Sequence, residues 1–125
     1  MISTKIVKPF IVIAIIMLVL DSIYLKTFSG FFNDVVTKVQ GSKIKLNLIG
    51  AILCYTLLVF SLNYFIISRK KPLIDAFILG IVIYGVYETT TYAILEKWSP
   101  LAVILDTFWG GLLFTLTTYI SYKIL

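Results

Sequence analysis

The chain contains no histidine. Metal sites built on imidazole, histidine acid–base catalysis and Ser-His-Asp triads are therefore excluded. Its single cysteine, Cys54, rules out an intrachain disulfide. Charge is scarce: 14% of residues are Asp, Glu, Lys or Arg, and six are acidic. No D-x-x-x-D metal motif lies within an apolar run, and no lysine sits in the middle of one, which argues against a retinal Schiff base. No strand pattern precedes Gly110-Gly111, so the pair reads as close helix packing and not as a phosphate loop. No internal repeat, low-complexity stretch or break in composition marks a second domain, and residues 1–125 read as one integral membrane domain.

What is present is apolar. Hydrophobic residues make up 60% of a chain of 125. A soluble domain of that size leaves too much of its surface wet to hide them, so lipid is the expected solvent. The net charge of +5 comes from lysines and Arg69, most of which flank the apolar runs, where they anchor helix ends and meet anionic headgroups. Nucleic acid is not an expected partner; the lipid bilayer is.

Four spans are predicted, at about 9–25, 44–68, 73–95 and 101–122. The first follows Lys5 and Lys8, as a signal peptide would. It ends in LDSIYLK, with a charge inside and no small-x-small cleavage pattern, and so reads as a retained helix. Between the first two spans, Phe28, Phe31, Phe32, Val35, Val36 and Val39 recur at helical spacing. They predict an amphipathic helix over about 28–40, lying at the interface or capping the bundle, with Gly41 as its stop. Pro72 and Asp75 suit the start of span three, and Ser99-Pro100 the start of span four. Trp98 reads as part of the interfacial aromatic belt. The expected fold is all-α, a four-helix transmembrane bundle. The compact Arg69-Lys70-Lys71 cluster places that loop and both termini on the cytoplasmic side.

Three spans carry a carboxyl group: Asp21, Glu88 and Asp106. Spans one and three run the same way and span four returns. At ~1.5 Å rise per residue, all three groups lie roughly 6–11 Å below one surface, in one layer. Tyr24 follows Asp21 by three residues. Tyr84 and Thr91 flank Glu88 at helical spacing, and Trp109 follows Asp106 by three. Tyr55 of span two can reach the same layer. Gly80, Gly110 and Gly111 offer close helix approach.

These residues also carry a resemblance. The first span ends in Asp21-x-x-Tyr24-Leu25. The third carries Tyr84-x-x-Tyr87-Glu88-x-Thr90-Thr91-Tyr92-Ala93 and closes on Trp98. The fourth carries Asp106-x-x-Trp109-Gly110. Together they resemble the bacterial and viral membrane-protein family called domain of unknown function 2177, over nearly the whole chain. That family usually reads Tyr-Asp-x-Thr-Asn in the third span; here Glu88 takes the Asp place, Thr91 the Asn place, and Tyr24 stands where Trp is usual. The resemblance implies a four-span membrane protein and brings no activity with it.

An ionisable group at a helix centre costs roughly 2.5–3.5 kcal/mol on insertion scales, so three at one level call for a use. The preferred reading is a small transporter- or channel-like protein. Its candidate site is Asp21, Tyr24, Tyr84, Tyr87, Glu88, Thr91, Asp106 and Trp109, and its candidate ligands are a proton, a metal cation or a small cationic solute. Four short spans leave little room for a pore, so this reading implies a homo-oligomer. The alternative is a structural or interaction protein whose buried carboxyls only fix helix packing. An enzyme acting on a lipid or isoprenoid substrate ranks lower, because only Lys26 and Lys97 lie near the layer to meet a phosphate. No catalytic residue and no cofactor is assigned. Cys54 reads as a buried packing residue.

Overall fold

In hydrocarbon every backbone N–H and C=O must find its partner within the protein, and a helix supplies those partners locally. The computed structural model describes residues 4–125 and follows that rule: among the described residues there are five helices and no strand. They are α1 (Thr4–Thr27), α2 (Ser29–Gln40), α3 (Leu48–Leu62, continued by a wider π-helical turn, Asn63–Ile67), α4 (Leu73–Ile94) and α5 (Pro100–Ile124). All but α2 are long and apolar enough to cross a membrane. Their outward faces bear Ile11, Ile15 and Val19 on α1, Ile52, Leu53 and Phe60 on α3, Ile74, Ile78 and Val82 on α4, and Ile104 and Phe108 on α5, all exposed. Apolar surface of this extent belongs against lipid.

Helix starts follow capping chemistry. The expected second span began near residue 44, because Ile44 and Leu46 extend the apolar run. The helix instead begins at Leu48. Asn47 is extended, and its side-chain oxygen accepts from the Gly50 N–H at 3.1 Å, so it caps the helix rather than lying inside it. Ser99 does the same for α5, accepting from Ala102 N–H at 3.2 Å, with Pro100 as the first helical residue. The remaining ends differ from expectation by fraying or capping: α1 and α5 extend past residues 9–25 and 101–122 on both sides, and α4 stops at Ile94.

Packing divides the bundle into two halves. Helices α4 and α5 lie in close contact, with Gly80 of α4 against Gly110 and Gly111 of α5. In the half nearer the 68–72 turn, Ile13, Met17, Leu62, Leu113 and Phe114 are fully buried and form the core. Tyr122 near the end of α5 donates to the Lys71 carbonyl at 2.6 Å and closes that end. The other half holds the carboxyl layer. There α2 folds across the end of the bundle: Val35 is buried, Phe28 and Phe32 pack on Tyr24, and Val39 shares a small pocket with the α4–α5 turn. Helices α3 and α4, although consecutive, barely touch.

Candidate functional site

Asp21 is only 6% exposed and Tyr24 5%. On an antiparallel neighbour, α5 repeats the same pattern with Asp106 and Trp109. The two pairs exchange hydrogen bonds. The Trp109 indole N–H donates to Asp21 Oδ1 at 2.9 Å, and the Tyr24 hydroxyl donates to Asp106 Oδ1 at 3.2 Å. The two rings stack face to face, with centroids 4.6 Å apart and planes 1° from parallel. A spacing of three residues places acid and aromatic on one helix face, so two antiparallel copies can satisfy each other. Tyr55 of α3 adds a third helix by donating its hydroxyl to Asp21 Oδ2.

Glu88 is placed differently. It is 1% exposed, and its Oε1 accepts the Trp98 indole N–H at 3.0 Å. Trp98 sits in the turn between α4 and α5 and folds back over the acid. Its expected place in an interfacial belt leaves out this bond, which joins residues ten apart across the end of a helix.

Asp21 and Asp106 together line a cavity of about 350 Å³ between α3 and α4. Tyr55, Tyr84 and Tyr87 form its aromatic wall, and Ala51, Leu57, Leu58 and Ile83 its aliphatic wall. Neither wall carries a lysine or arginine. All four side-chain donors bonded to the three acids are neutral phenols or indoles. The acids thus have no positive partner among these hydrogen bonds, and each carboxylate has acceptor capacity to spare. Among the described residues no three His, Cys, Asp or Glu side chains are grouped to hold a metal ion.

The remaining expected site residues divide. Tyr84 lies in the cavity with its ring against Gly110, where an added Cβ would come within 2.3 Å of the ring. Tyr87 stands at the cavity rim, 62% exposed. Thr91 is outside the cavity, its hydroxyl bonded to the Tyr87 carbonyl of its own helix at 2.8 Å. Cys54 corrects the expectation of a buried packing residue: it is exposed and lies on the cavity wall. Its apolar neighbours concealed this, since a lipid-facing stretch and a core-facing stretch are equally hydrophobic.

The sequence matches the family described as predicted membrane protein (DUF2177) over residues 6–123. No curated protein and no solved structure matches it.

Proposed function

The chain belongs to the DUF2177 family of predicted membrane proteins, and from this premise we propose that it is a small transporter-like protein that takes a cationic solute at Asp21 and Asp106. The observation that carries this reading is the shared cavity, in which two acids with only neutral hydrogen-bond donors face one space. A bound ammonium group would donate to both carboxylates, and the rings of Tyr55, Tyr84 and Tyr87 would add cation–π attraction. A proton is the second candidate ligand, since two carboxyl groups line the cavity at membrane depth. The absence of a three-ligand group among the described residues weighs against a metal cation.

The packed half of the bundle bears on mechanism. Ile13, Met17, Leu62, Leu113 and Phe114 fill the space beyond the carboxyl layer, so passage needs either a movement of helices or a boundary between copies in a homo-oligomer. In this reading the termini and the Arg69-Lys70-Lys71 turn face the cytoplasm. Sealing of Glu88 by Trp98 favours a packing role for that acid, which narrows the alternative of a purely structural protein to one of the three groups.

Uptake of radiolabelled methylammonium into proteoliposomes tests the proposal. Asp21→Asn and Asp106→Asn keep the side-chain shape and remove the charge, and either is expected to abolish most uptake. Wild-type uptake by both folded variants would count decisively against a carboxylate-based site.

A further inference from the structure

We infer that the cavity takes a single-chain amphiphile with an ammonium head, which enters sideways from the lipid between α3 and α4. This rests on the cation site proposed above and names its ligand class. The argument begins with access. From the near membrane surface the layer is covered: α2 lays Phe28 and Phe32 on Tyr24, with ring centroids 5.2 and 5.9 Å away, and Tyr24 is stacked on Trp109. From the far surface the packed core covers it. The remaining side is the gap between α3 and α4, two helices that barely touch. Its rim residues Leu57 and Tyr87 are 67% and 62% exposed, on surfaces that face lipid.

The lining then fixes the chemistry. A ligand arriving through hydrocarbon needs an apolar body, and Ala51, Leu58 and Ile83 provide a matching wall. At the inner end the carboxylates of Asp21 and Asp106 select a head that donates hydrogen bonds and carries positive charge. An anionic or zwitterionic phosphate head would bring like charge against the same oxygens. A volume of 350 Å³ is at the small end of ligand pockets and suits one alkyl chain rather than the two of a phospholipid.

The experiment uses the full chain in nanodiscs and Cys54, its only cysteine, as the reporter, because that thiol is exposed on the cavity wall. Protection of Cys54 from N-ethylmaleimide is measured with dodecylammonium, dodecanol and dodecanoate, and methylammonium binding is followed in parallel by equilibrium dialysis. Dodecylammonium should protect and the neutral and anionic chains should not. Asp106→Asn should remove the protection. Ala51→Phe, which fills the wall, should raise the half-protecting concentration about tenfold or more, the equivalent of roughly two buried methylenes. Leu57→Trp at the exposed rim gives a second block that leaves the interior packing alone. If methylammonium binds but dodecylammonium gives no protection, or is unaffected by both wall variants, the amphiphile inference fails and the cation site stands. Equal protection by dodecanol overturns recognition of the head. Absence of binding by either amine overturns both readings.

Discussion

Substituting Gly80 by alanine is the sharpest test of the packing that holds the carboxyl layer together. A Cβ built on Gly80 would lie 2.1 Å from the Gly110 carbonyl oxygen, 2.7 Å from its carbon and 3.0 Å from Gly111 Cα. All three are backbone atoms of a neighbouring helix, so no side-chain rotation relieves the clash. Helices α4 and α5 must separate by roughly 1 Å to restore ordinary contact distances. Overpacking of this kind costs about 1–3 kcal/mol, and the gain in helix propensity from glycine to alanine returns about 1 kcal/mol at most. Contact with rigid backbone puts the cost toward the upper end of that range, so a net loss of about 1–2 kcal/mol is expected. Gly85 is the internal control, because its added Cβ would meet only Thr107 Cγ2 at 3.4 Å, ordinary contact with a side chain. Gly85→Ala should be neutral or slightly stabilising. Reversible unfolding in mixed micelles measures both. Equal stability of Gly80→Ala and wild type, or a larger loss at Gly85, would refute the reasoning.

Other perturbations follow from single contacts. Trp98→Phe removes the donor to Glu88 and should lower unfolding free energy by about 0.6–2 kcal/mol, with a double-mutant cycle against Glu88→Leu, which removes the acceptor, showing that the losses are not additive. Ser99→Ala and Asn47→Ala each remove a helix cap and should cost about 1 kcal/mol in the same assay. Tyr24→Phe keeps the stacked ring but deletes the donor to Asp106. It should cost about 1 kcal/mol, whereas Tyr24→Ala should cost more by losing the aromatic contact as well.

The parts of the fold legible in the sequence were those set by length, rise and turn chemistry. Apolar runs bounded by Lys5, Lys8 and the Arg69-Lys70-Lys71 cluster mark spans, and the spacing of Phe28, Phe32, Val35 and Val39 marks α2. The meeting of Asp21 and Asp106 follows from counting residues inward from one surface, since antiparallel helices with equal rise bring equal depths together. Rotation about each helix axis was not legible. A membrane helix is apolar on every side, so no hydrophobic face says which residues point to lipid. That is why Cys54 was expected in the core and Thr91 in the site, and why the sequence could not place the gap between α3 and α4. The Trp98–Glu88 bond depends on a turn folding back and has no periodic signal.

The reciprocal bonding of Asp21 with Trp109 and of Asp106 with Tyr24 bears directly on why these acids can persist at membrane depth. A lysine or arginine partner would neutralise each charge permanently and leave no reason for a ligand to bind. An indole and a phenol instead hold the carboxylates in position by direction, through one N–H and one O–H, and leave the charge uncompensated. The stacked rings tie both acids to one rigid unit, so the distance between them is set by α1 and α5 together. At Asp106 pure register-keeping would be served as well by Asn, whose amide oxygen accepts the Tyr24 bond, whereas at Asp21 an Asn that keeps the Trp109 bond turns an NH₂ donor toward the Tyr55 hydroxyl. At Asp106 the difference between Asp and Asn is therefore charge alone, and Asp106→Asn should leave the bundle folded while weakening the attraction for a cation. An Asp106→Asn variant that unfolds under conditions where wild type is stable would show that this charge serves packing, and would return the site to a structural role.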